Sequence, residues 1–81
     1  MNITVRYWSW FKDLAGTGHE EFTLEAPARL GDLLDLVRHR HPGFEKVRKS
    51  TLVAVGVEYR DPTHQLAPGD EVSLFPPVQG G

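Results

Sequence analysis

Apolar and polar residues alternate from the start of the chain: Ile3, Val5 and Tyr7 interleave with Thr4, Arg6 and Trp8. A period of two puts each set on its own side of a strand, so the segment predicts a strand with one buried face. The alternation breaks at Trp8-Ser9-Trp10-Phe11. Phe11 and Leu14, three apart, predict a single helical turn that tucks both inward before Gly16 and Gly18 reverse the chain. Phe22, Leu24 and Ala26 then alternate with Glu21, Thr23 and Glu25. They predict a second strand, hairpinned to the first and ended by Pro27.

Over residues 29–41 the period changes. Leu30, Leu33, Leu34 and Val37 share one face of an amphipathic helix, with Asp32, Asp35 and Arg38 opposite and Leu36 on the flank. Ala28 stands where a capping Ser, Thr or Asp belongs, and His41-Pro42-Gly43 stops the helix. Phe44 and Val47 predict a further short turn. The nearly continuous apolar run Leu52–Val57 predicts an interior strand covered for part of its length on both faces. Tyr59-Arg60 reads as a short edge strand, Asp61-Pro62-Thr63-His64 as a loop, and Leu66–Asp70 as a turn. Glu71–Phe75 is the last strand, with Val72 and Leu74 inward.

Two strands, a helix and three further strands predict an α+β fold: a mixed four- to five-stranded sheet with one main helix on one face. A right-handed crossover places the last strand parallel to the first in the sheet centre, the β-grasp arrangement. Parity then carries a functional expectation. If Val5, Tyr7, Val72 and Leu74 face the helix, Trp8 and Phe75 face away from it, side by side on the bare face. An exposed aromatic pair there is a docking site, unless a loop or the tail covers it.

The composition removes several classes of chemistry. With 81 residues there is one domain, and with no cysteine there is no disulfide, thiolate zinc site, iron–sulfur cluster or thiol nucleophile. A net charge of −2 argues against a dedicated nucleic-acid binder. No apolar run suits a membrane span and Met1-Asn2-Ile3-Thr4 lacks a signal-peptide layout, so a soluble cytoplasmic protein is expected. His39 and His41 point to different sides of a helix, and His19 and His64 lie in separate loops, so no metal site is expected. Arg38, Arg40, Lys46, Arg48 and Lys49 crowd one stretch, as suits a solvated helix end. Asp61, Asp70 and Glu71 read as solvated turn carboxylates.

The most informative stretch is Phe75-Pro76-Pro77-Val78-Gln79-Gly80-Gly81. Two prolines hold φ near about −65° and remove two backbone donors, so strand pairing stops at Phe75 and a stiff stem follows. The expected division is therefore a domain over 1–75 and a flexible tail over 76–81. Gly80 and Gly81 carry no Cβ and suit a narrow channel, and the Gly81 α-carboxylate is then the reactive group at the tip. A plain frayed terminus is the alternative.

Leu66, Gly69-Asp70-Glu71-Val72, Phe75-Pro76-Pro77-Val78 and Gly80-Gly81 together resemble the MoaD/ThiS group of ubiquitin-like sulfur carriers. Leu14-Ala15-Gly16 and the helix ending at His41-Pro42 fit the same pattern, over essentially the whole chain. Phe75-Pro76-Pro77-Val78 is more characteristic of the molybdopterin synthase branch than of the thiazole branch. Ala28 and Gly56-Val57-Glu58 depart from the pattern. The resemblance implies a chain that is not catalytic alone and binds no cofactor itself. An adenylyltransferase of the ubiquitin-activating kind, using ATP and magnesium, would adenylate Gly81. A persulfide sulfur donor would convert it to a thiocarboxylate. The large synthase subunit, in a heterotetramer, would then pass the sulfur to a cyclic pyranopterin. Trp8, Phe75, Pro76, Pro77 and Val78 would contact these partners. A carrier for thiazole or tRNA thiolation, a protein modifier, and an inert ubiquitin-like interaction domain are the alternatives.

Overall fold

A computed structural model describes residues 1–78. Strand β1 (Asn2–Tyr7) leads through the short helix α1 (Phe11–Ala15) into β2 (His19–Thr23). The main helix α2 (Leu30–Arg40), a short α3 (Gly43–Lys46) and a 3-10 turn (Arg48–Ser50) follow. Strands β3 (Leu52–Val55), β4 (Glu58–Tyr59) and β5 (Glu71–Phe75) complete a five-stranded sheet in the order β2-β1-β5-β3-β4. β1 and β5 are parallel, with Val5 beside Val72 and Tyr7 beside Leu74. The other neighbouring pairs are antiparallel. This is the expected β-grasp arrangement, with one main helix among three.

The core lies between the sheet and α2. Ile3, Val5, Tyr7, Phe22, Val72 and Leu74 on the sheet meet Leu30, Leu33, Leu34 and Val37 on the helix, all buried. Each of these large side chains contributes roughly 1.5–3 kcal/mol by leaving water. Phe44 of α3 closes one end, its ring centroid 5.4 Å from Tyr7 and 5.2 Å from Phe11.

Three element boundaries differ from the sequence reading. β2 runs His19–Thr23 instead of reaching Pro27, its pairing with β1 ending at Asn2–Thr23 and at the bonds that Leu24 exchanges with Met1, 2.9 and 2.6 Å long. Ala26 is exposed. The run Leu52–Val57 splits: β3 ends at Val55, Gly56 turns at φ +62°, and Val57 is 99 % exposed. The edge strand is consequently Glu58–Tyr59 rather than Tyr59-Arg60. β3 is covered on both faces for part of its length, as expected: Val53 and Val55 pack on the core, and Ala54 is buried on the side it shares with Leu52, Ser73 and Phe75.

The cap of α2 is supplied by tertiary structure. Arg29 is the N-cap and Ala28 is buried. The Asp32 carboxylate accepts the Arg29 N–H at 2.8 Å, from the third helical position. The carbonyls of His64 and Pro62 accept the N–H groups of Leu30 and Gly31 at 2.8 and 2.9 Å. The 61–66 loop thus satisfies donors that a helix start otherwise leaves to water.

One polar cluster sits at the core's edge. The Tyr7 hydroxyl donates to Glu20 Oε1, His41 Nε2 donates to the same oxygen at 2.6 Å, and Arg40 lies 3.3 Å from Oε2. Burial, then the bond to Glu20, raises the Tyr7 hydroxyl above its ordinary pKa. Burial pushes the Glu20 carboxyl upward, but the hydrogen bonds from Tyr7 and His41 outweigh it and leave the group below its usual value. A carboxylate held low in the folded state stabilises above its unfolded pKa, and that contribution disappears as pH falls through the folded value. Wild-type protein is therefore expected to lose unfolding midpoint from about pH 5 downward, starting near the ordinary glutamate range. Glu20→Gln should start lower at neutral pH and show a flatter acid limb in calorimetric scans. Parallel acid limbs in the two proteins would refute this account of the cluster.

Candidate functional site

The end of β5 and the strands beside it form the candidate site. Trp8 extends the parallel ladder one residue beyond β1, its N–H donating to the Leu74 carbonyl at 3.0 Å. Ser9 then takes a left-handed φ of +56° and turns the chain into α1, so the aromatic end of the strand stands clear. Trp8 is 51 % exposed and Phe75 half-buried. They line one shallow concavity of about 370 Å³ with Ala54, Gly56 and Ser73. The expected aromatic pair is thus brought together on the bare side, and no loop of the described residues covers it.

Tyr59, which the sequence reading left outside the site, belongs to it. It pairs opposite Ala54 and therefore shares the open face, with its ring centroid 5.8 Å from that of Phe75. Nothing local marks it; its placement follows from the turn at Gly56, which sets the β3–β4 register. The same turn presents Val57. The face is polar elsewhere, since Thr4, Arg6, His19, Glu21 and Thr23 occupy its β1–β2 side by register. Arg6 there pairs with Glu71 at 3.0 Å. The apolar residues are therefore confined to one corner.

Pro76 and Pro77 leave that corner without backbone donors, and neither they nor Val78 belong to a strand. Val78 is 93 % exposed. Trp10, beside the site in sequence, is spent differently, packing edge-on to Phe11 at 4.7 Å. Gly80 and Gly81, the expected reactive residues, lie outside the described residues. Among the described residues no group of three or more His, Cys, Asp or Glu side chains is placed to hold a metal ion. None of their helices is long and apolar enough to cross a membrane.

Comparison with known proteins adds the following. Residues 5–81 match the family model described as the ThiS family. The molybdopterin synthase sulfur carrier subunit of Chlamydomonas reinhardtii is 35 % identical over 83 aligned positions, covering 100 % of both chains. The structure assigned as molybdopterin converting factor, subunit 1, from Pyrococcus furiosus superposes with a TM-score of 0.90 at 31 % identity, over 96 % of this chain and 99 % of that one. The protein–protein complex of subunits 1 and 2 of molybdopterin-converting factor from Helicobacter pylori contains a chain with the same fold. Its TM-score is 0.74 at 22 % identity, over 100 % of both chains.

Proposed function

The chain belongs to the ThiS family, and from that premise we propose that it is the sulfur-carrier subunit of a molybdopterin synthase, with Gly81 as the group that carries the sulfur. The observation that carries the reading is an apolar corner placed where the Phe75-Pro76-Pro77-Val78 stem leaves the sheet. It is supported by likeness to a molybdopterin synthase sulfur carrier subunit along its whole length. A fold so arranged can hold a reactive end at a fixed distance from a docking surface.

The chemistry follows from the poor acylating power of a carboxylate. Attack of the Gly81 carboxylate on the α-phosphate of ATP forms an acyl adenylate and releases pyrophosphate, on an activating enzyme that supplies the nucleotide site and magnesium. The terminal sulfur of a persulfide then attacks the acyl carbon and expels AMP. A thiol reduces the resulting acyl disulfide, leaving a thiocarboxylate on Gly81. The large synthase subunit receives this end, the sulfur bonds to a carbon of a cyclic pyranopterin, and water cleaves the acyl carbon–sulfur bond, which restores the carboxylate. The chain's own part is to present the end and to bind each partner in turn.

Trp8, Phe75 and Tyr59 form the anchor, with Val57 beside them. Pro76 and Pro77 reduce the entropy lost when the stem is ordered in a partner. Trp8→Ala and Phe75→Ala are each expected to weaken binding of the large synthase subunit by about 2 kcal/mol, as for buried aromatic anchors. Neither should move the unfolding midpoint by more than a surface change does. Calorimetric titration of that subunit checks both, and unchanged affinity in the two variants would remove the corner from the mechanism. The carrier assignment is tested by intact mass after incubation with activating enzyme, ATP and sulfur donor. Replacement of one oxygen by sulfur is expected, and an unchanged mass with an active partner would contradict it.

A further inference from the structure

We propose that the groove between α2 and the β3–β4 edge is a second docking site, one that takes an extended acidic segment of a partner protein. The groove, about 710 Å³, has Leu34, Leu52 and Val53 in its lining and Arg29, Arg38, Arg48 and Arg60 around them. Four guanidiniums therefore converge in a protein whose net charge is −2.

Four carboxylates balance them, Asp32 and Asp35 in the lining and Glu45 and Glu58 beside it, but the pairing leaves donors free on two of the arginines. Arg38 is held by Asp35 at 2.9 Å and Glu45 at 3.4 Å, and Arg60 by Glu58 at 2.6 Å. Arg48 stands 3.6 Å from Glu45 and 3.9 Å from Asp35, beyond good hydrogen-bond length, so its donors remain available. Arg29 donates to the Thr63 carbonyl at 2.7 Å and, among the described residues, has no carboxylate in ion-pairing range. The lining carboxylate nearest to it in sequence, Asp32, is engaged by the Arg29 N–H at the helix cap. Arg29 and Arg48 thus offer forked donors that match carboxylate geometry.

The backbone argues for an extended occupant. β4 is the last strand in the sheet order, so its outer edge meets no other strand among the described residues. An unpaired edge is a template for a peptide adding as a further strand. Tyr59 lines this groove while its ring packs against Phe75 on the open face, so one side chain borders both surfaces at the sheet edge. Alternating carboxylate and apolar side chains fit both the guanidiniums and the Leu34–Val53 floor. The site is independent of the chemistry at Gly81.

The test uses the full chain and a fluorescein-labelled peptide of alternating glutamate and valine, with a lysine–valine peptide and an oligonucleotide of equal charge as controls. Saturable anisotropy change is expected for the acidic peptide alone, with amide shifts at Leu52–Val55 and Glu58–Arg60 in NMR spectra. Arg29→Glu and Arg48→Glu, both at exposed positions, should each weaken it at least tenfold with folding checked by thermal melts, and Trp8→Ala should leave it unchanged. The proposal is overturned by absent binding, by equal binding of either control, by shifts confined to the Trp8–Phe75 corner, or by indifference to both arginine variants.

Discussion

Deleting Gly81 is expected to abolish sulfur transfer by the chain while leaving its unfolding midpoint where it was. Among the described residues the buried core side chains run from Ile3 to Leu74, so a change confined to position 81 leaves all of them in place. Removing one residue draws the terminal carboxylate back by about 3.5 Å. Misplacement of a reacting atom by even an ångström costs roughly a hundredfold, so the shortened tail should fall by at least that factor in product formation. Gly81→Ala is the milder companion, placing a methyl where the tail enters a partner. The measurement is pyranopterin sulfuration with activating enzyme, ATP, sulfur donor and large subunit, alongside a thermal melt. Full activity in the shortened chain would end the carrier reading, whatever the docking variants do.

Phe44→Ala should have the largest effect on stability. The ring is buried between Tyr7 and Phe11 and 6.3 Å from His41, so truncation opens a cavity that three elements border. Substitutions of this kind cost about 3–5 kcal/mol. An 81-residue domain has a total stability of only about 4–12 kcal/mol, so the change consumes much of it. A fall in midpoint on the order of 15 °C follows for a domain of this size. Chemical denaturation and calorimetry would show it, and a loss below about 1 kcal/mol would mean the cavity collapses without cost. The contrast with Phe75→Ala is informative. Both are phenylalanines near strand or helix ends, yet one belongs to the core and the other to the open face.

That contrast also separates what the chain states locally from what it does not. Strand alternation at Ile3–Trp8 and Glu71–Phe75 and the Leu30–Val37 stripe determine the elements and their buried faces, because period and burial are tied at each position. The same parity puts Trp8 and Phe75 on the outer side. The double proline likewise states where pairing ends, since a missing donor is a local fact. Tertiary structure decided the remainder. Tyr59 joined the site only through the turn at Gly56 and its pairing with Ala54, and α2 was capped by carbonyls from Pro62 and His64, some thirty residues downstream. Glu20, Tyr7 and His41 became one cluster only when β1, β2 and the end of α2 met. Four arginines dispersed over Arg29–Arg60 became one groove in the same way. Each of these depends on register and on contacts between segments distant in sequence, which no periodicity encodes, whereas burial of a face is written in the spacing of its own residues.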